Sequence, residues 1–360
     1  MFYQKSDGLK YCMEARAERI IHGTEDDGST ERELEFPVAK KDVVKRFHDF
    51  EEYMNENWHS KVTIGAMTYG DGLLTDHGVD HVQTVMHNAY LLLKGRVQYL
   101  SGFEIYILLM AIHFHDVGNI WGRDGHEKKI EDVMNEIPAE ISGLETFEQI
   151  FICEIAMAHS GKIDDDKDTI SKMGKDETCL GMRVRKPMLA AILRFADELA
   201  DDFSRTKWDN VDINEVNKIY HDYSKALDIP KITDTNIALH FTLNDEDISR
   251  TYTKDGKEIY LYDEILNRIQ KIMVELTYCR TFASDFLRVN SMNVSIDIRR
   301  KGSIDPRKKK TIFFRLGLRG YPDTRNITIK DYFIDDEMSK NSLMVFSGKE
   351  LEQAMKEDKN

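Results

Sequence analysis

The stretch Ile105-Tyr106-Ile107-Leu108-Leu109-Met110-Ala111-Ile112-His113-Phe114-His115-Asp116 decides the fold. It is apolar on nearly every face, so a helix over about 103–116 belongs inside a core. It is far too short to span a bilayer. It ends on an imidazole and a carboxylate side by side, two groups that hold divalent ions.

Helical stripes extend outward from this segment. Val82, Val85, Met86, Ala89 and Leu93 share one face, and Ile130, Val133, Met134 and Ile137 share another before Pro138. Leu144, Phe147, Phe151 and Ile155 mark the next helix. Pro187 opens a further one, carrying Leu189, Ile192, Leu193, Ala196 and Leu199. Upstream, Val44, Phe47, Phe50, Tyr53 and Met54 fit one helix face, while Gly70, Gly72 and Gly78 mark a loop. Gly118 is expected to stop the central helix. Between Gly161 and Lys186 the composition turns acidic and then basic; this predicts a mobile loop, either a lid or a solvated excursion.

Four of these helices carry a ligand-type residue one turn from a buried stripe. His81 is four before Val85, His115 four after Ala111, His159 four after Ile155 and Asp197 four after Leu193. Residues at i and i+4 share a helix face. Burying so many imidazoles and carboxylates without partners is costly, and a shared metal ion removes that cost. His126 shares a face with Ile130 and can point back at the same region, as a second-metal ligand or a general acid. The metal ligands expected are therefore His81, His115, Asp116 and Asp197, joined by His126 and His159 if a second ion binds. One ion or two remains open at this point; the inward faces of both extra histidines favour two. His113 lies on a different face and is not expected to ligate, and His77 reads as a hydrogen-bonded core residue.

The second half is mixed. Asn236–Leu243 reads as a strand, and Arg250–Leu261 as a hairpin around Asp255-Gly256. Ile265–Phe286 returns to helical periodicity. Met292–Arg299, Thr311–Leu318 and Ile327–Phe333 are expected to form a small antiparallel sheet. The fold class expected is mainly α: a helical bundle with a smaller antiparallel, β-containing C-terminal appendage. The organisation expected is an N-terminal extension over 1–58, a metal-binding helical domain over 59–230, a mixed region over 231–345 and a charged, frayed tail over 346–360.

The chain has 360 residues, 41% hydrophobic and 32% charged, enough to fill a sizeable core. Its formal net charge of -14 argues against wrapping duplex nucleic acid. Four dispersed cysteines without a C-x-x-C pair argue against disulfide staples, and the N-terminus lacks an apolar signal segment. Together these suggest a cytoplasmic protein with no membrane partner. Any assembly is expected to be a homo-oligomer.

Three segments taken in order resemble the motifs of the HD superfamily: His77, Gly78 and His81; His113-Phe114-His115-Asp116-Val117-Gly118-Asn119; and Arg194-Phe195-Ala196-Asp197-Glu198-Leu199. The resemblance covers about residues 60–205. It implies an HD-type helical bundle, a divalent metal cofactor (Mn, Mg, Fe, Co, Ni or Zn) and hydrolysis of phosphate esters or nucleotide phosphates. Asp116, His126 and Glu127 are the candidate catalytic residues. Arg123, Lys128, Lys162, Arg194 and Arg205 are candidate phosphate contacts, since phosphoryl groups need cationic clamps.

The departures narrow the choice. Alarmone hydrolases carry an acidic pair where this chain has Asn119 and Ile120. The cyclic-dinucleotide branch carries an adjacent His pair, whereas Ser160 follows His159, and Gly320-Tyr321-Pro322 lies out of context. The deoxynucleotide triphosphohydrolases place a further His where Asn119 stands; they too carry a His and an acidic residue after the His-Asp pair, but spaced apart rather than adjacent like His126-Glu127. The expected substrate is a nucleotide, with a (deoxy)nucleoside triphosphate leading. A phosphodiesterase acting on cyclic or short oligonucleotides, and a nucleotide-sensing scaffold answering to a nucleotide effector, are the alternatives.

Overall fold

The apolar stripes of the sequence form helices, some opened by side-chain caps and others not. The computed structural model describes residues 8–21, 35–37, 42–62, 76–160, 167–206, 215–254, 256–299, 309–318, 327–334 and 345–357. They fall into two compact units. The first comprises the described parts of Met1–Asp71, His77–Asp197 and Cys279–Leu287; the second, those of Gly72–Asp76, Glu198–Tyr278 and Arg288–Asn360.

The first unit is helical: α1 (Leu9–Ile21), α2 (Val43–Met54), α3 (Val79–Leu93), α4 (Gly102–Phe114), α5 (Ile130–Glu136), α6 (Ala139–Ser142), α7 (Thr146–Met157) and α8 (Lys186–Glu198). A short hairpin, β1 (Glu177–Cys179) and β2 (Met182–Val184), precedes α8. Helix α4 is the axis of this unit. Every residue of it is buried, and α1, α2, α3 and α7 pack around it. A π-helical turn, Asn55–His59, extends α2.

Two features make a buried α4 tolerable. The Ser101 hydroxyl accepts from the Glu104 amide while the Glu104 carboxylate accepts from the Ser101 amide, a closed capping box. The same carboxylate receives the Arg185 side chain at 2.6 and 2.8 Å. Glu104→Ala therefore removes a cap worth about 1 kcal/mol and strands a partly buried guanidinium at about 1–3 kcal/mol. Urea unfolding should show a loss of about 2–4 kcal/mol. A loss under half of that would mean that neighbouring groups re-cap the helix.

Two features of this unit differ from the sequence reading. Gly118 does not end a helix. It sits in a 3-10 turn, Val117–Trp121, where a Cβ would collide with the backbone carbonyl of His126; glycine is there for close approach. Part of the expected loop over 161–186 is an anchored hairpin, with Cys179, Met182 and Val184 buried and Leu180 and Gly181 turning at φ 50° and 80°. Residues 161–166 lie outside the described residues. Leu9 and Met13 on α1 are buried in the core; the loop expected at Gly70 and Gly72 lies outside the described residues.

The second unit contains α9 (Glu215–Ala226), β3 (Lys231–Ile232), β4 (Asn236–Asn244), α10 (Asp245–Ser249), the hairpin β5 (Thr251–Lys254) and β6 (Lys257–Tyr260), α11 (Leu261–Ala283) up to Tyr278, β7 (Ser291–Arg299), β8 (Lys309–Gly317) and α12 (Gly348–Glu357). The main sheet has the order β3-β4-β7-β8. It is mixed: β7 pairs antiparallel with β8 but parallel with β4, Asn236 opposite Ser291 through Asn244 opposite Arg299. Strand β4 alternates, with Ile237, Leu239, Phe241 and Leu243 buried. The hairpin at Gly256 forms as expected, with φ 72° at that glycine.

The third strand expected in the appendage, Ile327–Phe333, is a 3-10 turn instead. Thr328 and Asp331 form a capping box there, and a single bridge, Phe333 to Leu316, meets the sheet. The segment read as a frayed tail forms α12, docked by a fully buried Leu351 and by the Gly348 amide donating to Asp263. Helices thus dominate the chain, with small antiparallel and mixed sheets. Among the described residues no helix is long and apolar enough to cross a membrane.

Candidate metal centre

The first unit brings six of the sequence-selected residues together. His81 lies in the first turn of α3, His115 caps the C-terminus of α4, and Asp116 opens the 3-10 turn that follows. His126 starts a second 3-10 turn, His126–Lys129. His159 lies just past α7, and Asp197 in the last turn of α8. The helix-face argument thus describes His81 and Asp197, while His115, His126 and His159 arrive on turns.

Their donor atoms form two sets. His81, His115, Asp116 and Asp197 make one, and Asp116, His126 and His159 the other. In the first, His81 Nε2 lies 3.2 Å from His115 Nε2, 3.3 Å from Asp116 Oδ2 and 3.2 Å from Asp197 Oδ1. His115 Nε2 lies 3.4 Å from Asp116 Oδ2 and 3.6 Å from Asp197 Oδ1. In the second, His126 Nε2 is 3.2 Å from His159 Nε2 and 3.4 Å from Asp116 Oδ1, which is 3.6 Å from His159 Nε2. Asp116 thus gives one oxygen to each set.

The donors fit divalent cations. Nδ1 of His115, His126 and His159 lies 2.6, 2.9 and 2.6 Å from the carbonyls of Ile112, Arg123 and Ala156. Each Nδ1 donates there, leaving Nε2 turned into the cluster as the atom a cation can take. The Nε2 atoms pair 3.2 Å apart, His81 with His115 and His126 with His159, and a cation between them relieves the repulsion of their lone pairs. Donors about 2.1 Å from an ion stand about 3.0–3.5 Å apart in octahedral or tetrahedral shells; the separations here run from 3.2 to 3.6 Å, so a bound ion would draw the widest pairs in slightly. Nδ1 of His81 is buried with no hydrogen-bond partner among the described residues.

Several neighbours outside the expected ligand set hold these donors. Arg123 Nη1 donates to His77 Nε2 at 3.0 Å, so His77 carries its proton on Nδ1 and donates it to Asp116 Oδ2 at 2.6 Å. Asn119 donates to Asp116 Oδ1 at 2.9 Å. Asn88 on α3 donates to the carbonyl of Ala196, next to Asp197. His77 had a signal, its place one turn before His81; Asn88 and Asn119 had none that composition or periodicity could supply.

The other candidates are distributed differently. Glu127 is buried, with Oε2 3.5 Å from His126 Nδ1, and contributes to neither donor set. Arg194 is buried and donates to the Ser160 carbonyl and the Thr169 hydroxyl, holding the turn after His159. Lys128 is exposed. Arg205 belongs to the second unit, bound to the Asp76 carbonyl and Asp201. Lys162 lies outside the described residues. His113 stays out of the cluster, stacked on His59 with 3.0 Å between His59 Nε2 and His113 Nδ1.

The electrostatics match a cation site. Burial opposes charge on Asp116, but the rings of His77 and His115 outweigh it and hold the carboxyl well below the usual range. Asp197 is held low in the same way, its burial overcome by His115 and His81. Burial also opposes charge on His115, yet Asp116 and Asp197 push it up to about 10. Without a metal the centre therefore holds a proton at neutral pH, and an incoming cation displaces it. Affinity for a divalent ion should rise with pH towards about 10. Calorimetry at pH 7.5 in two buffers of different ionisation enthalpy should show roughly one proton released per chain; no release would contradict this electrostatic picture. In the metal-free chain the raised value stabilises the fold fully below about pH 6.5, and that contribution is lost as pH rises through about 10.

A family model described as HD-CE matches residues 69–271, more than half of the chain. No curated protein and no solved structure matches significantly. The matched span contains every residue of both donor sets, in the order His, His-Asp, His, His, Asp. The His-Asp pair at the end of a buried helix, the candidate metal cluster around it and the match over most of the helical region lead to one conclusion: the chain belongs to the HD-CE family.

Proposed function

We propose that this protein is a metal-dependent phosphohydrolase acting on nucleotides, with (deoxy)nucleoside triphosphates as its leading substrates. The observation that carries the reading is the division of Asp116, Oδ2 with His81, His115 and Asp197 and Oδ1 with His126 and His159. One carboxylate shared by two histidine-bearing donor sets is how a pair of divalent ions is held close together. Bound there, such ions acidify a water and neutralise charge on a phosphoryl oxygen.

The remaining work falls to the chain. His77 anchors Asp116 Oδ2 and Asn119 anchors Oδ1, so the shared carboxylate keeps one orientation. The backbone carbonyls behind His115, His126 and His159 fix each ring so that Nε2 faces the donor sets. Arg123, exposed and joined to Asp116 through His77, is the cation best placed to meet a phosphate.

A hydrolysis screen tests the reading. The protein with Mn²⁺ or Mg²⁺ would meet ribo- and deoxynucleoside mono- and triphosphates, cyclic dinucleotides and short oligonucleotides, with Asp116→Ala and EDTA as controls. Turnover of nucleotides, lost in both controls, is expected. Turnover confined to oligonucleotides or cyclic dinucleotides would replace the substrate. No turnover of anything with metal bound would sink the hydrolase reading.

A further inference from the structure

The first unit has a second concavity that the metal chemistry does not use. It is a cavity of about 300 Å³ whose walls include Tyr53, Trp58 and Trp121, with Asn57, Lys61 and Glu136 also lining it. The two indoles meet edge to face, ring centroids 6.4 Å apart and planes at 63°. Trp58 is placed by the π-helical turn Asn55–His59, a winding that often marks a functional segment. Its indole N–H is buried without a partner among the described residues. A phenylalanine would fill the same core space without that uncompensated desolvation, so packing alone does not account for a tryptophan there.

We infer that this cavity binds a flat aromatic heterocycle, the base of a nucleotide. The walls offer ring surface, which stacks on any base. Lys61 and Glu136 are both exposed and supply one donor and one acceptor of opposite charge. A rim with no net charge does not attract a phosphate; it suits an uncharged heterocycle with hydrogen-bonding edges. The volume is at the small end for ligand pockets, about 300–1,000 Å³, enough for a base but not for a whole triphosphate.

One wall runs into the metal centre, and the other meets the helix that ends on it. Trp121 ends the 3-10 turn that Asp116 begins, and Asn119 of that turn donates to Asp116. At roughly 2.0 Å rise per residue, five residues of 3-10 turn cover about 10 Å. Trp58 is followed by His59, whose ring meets His113 on α4. The base in the cavity belongs either to the substrate itself or to a separate effector nucleotide. The inference rests on the nucleotide reading for the identity of the ligand, but its binding test needs no turnover.

The test is calorimetric titration of the full chain, in EDTA, with AMP, GMP and ribose 5-phosphate, comparing wild type with Trp121→Ala and Trp121→Phe. AMP or GMP should bind, and Trp121→Ala should weaken that binding about tenfold or more while Trp121→Phe stays within a few-fold. Ribose 5-phosphate should not distinguish the three proteins. Should Trp121→Ala misfold, Lys61→Ala is expected to shift the AMP-to-GMP preference instead. Nucleotide binding unchanged in both Trp121→Ala and Lys61→Ala, or no nucleotide binding at all, overturns the proposal.

With Mn²⁺ present, kcat/KM separates the two sources. A loss in Trp121→Ala for nucleotides but not for ribose 5-phosphate assigns the base to the substrate. Lost binding with unchanged kcat/KM assigns it to an effector. Binding without any hydrolysis would end the hydrolase reading and leave the cavity standing; nucleotide hydrolysis without Trp121-dependent binding would do the reverse.

Discussion

Asp116→Asn should empty both donor sets at once, whereas His126→Ala should empty only one. After dialysis against limiting Mn²⁺, about two ions per chain are expected for wild type, one for His126→Ala and His159→Ala, and none for Asp116→Asn. The asymmetry follows from the two oxygens of Asp116, each facing a different pair of histidines. An amide offers one weaker oxygen and an NH2 group that only donates, so it cannot serve both sets. Hydrolysis by Asp116→Asn should fall by about 10²–10³ or more. Two ions retained by Asp116→Asn would mean that the sets do not share this carboxylate.

Gly118→Ala should damage the second donor set selectively. An added Cβ would fall inside the His126 carbonyl group and against Lys129. Both are backbone or near-backbone atoms that cannot swing away, so the whole turn beginning at His126 must retreat. Overpacking of this kind destabilises by about 1–3 kcal/mol. The first set shares Asp116, but its other ligands, His81, His115 and Asp197, lie on α3, at the end of α4 and on α8, so it should keep its ion. Affinity at the second set should drop about 10–100-fold, the scale of disturbing the groups that orient ligands. Equal weakening of both sets, or of neither, in a metal titration would contradict the geometry.

The helical half was legible because its signals are local and redundant. Helix α4 is apolar all round and ends on His115-Asp116, and each stripe flanking it leads to a residue that the fold gathers. The supporting groups were not legible, since Asn88 and Asn119 are ordinary polar residues until the backbone brings them to Ala196 and Asp116. The phosphate contacts were read from charge alone. Charge does not distinguish Arg123, one residue removed from Asp116 through His77, from Arg194, which ties down a turn.

In the second unit the strands β4, β7 and β8 carried their alternation openly, but pairing direction is not encoded in alternation. Parallel pairing of β4 and β7 follows from the intervening α11, since a helical crossover returns the chain to the same end of the sheet. At Ile327–Phe333 the β-branched residues suggested a strand, and the Thr328–Asp331 capping box won locally.

The parallel pairing of β4 with β7 also sets the order of events as the chain is made. Strand β4 is complete at Asn244, but its partner begins only at Ser291, and β3 covers just two residues of its other edge. At roughly 5–20 residues per second of synthesis, the strand waits several seconds for that partner. During that interval Ile237, Leu239, Phe241 and Leu243 lie on an unpaired edge in the nascent chain. The stretch between β4 and β7 is therefore the window in which a chaperone has the most to protect.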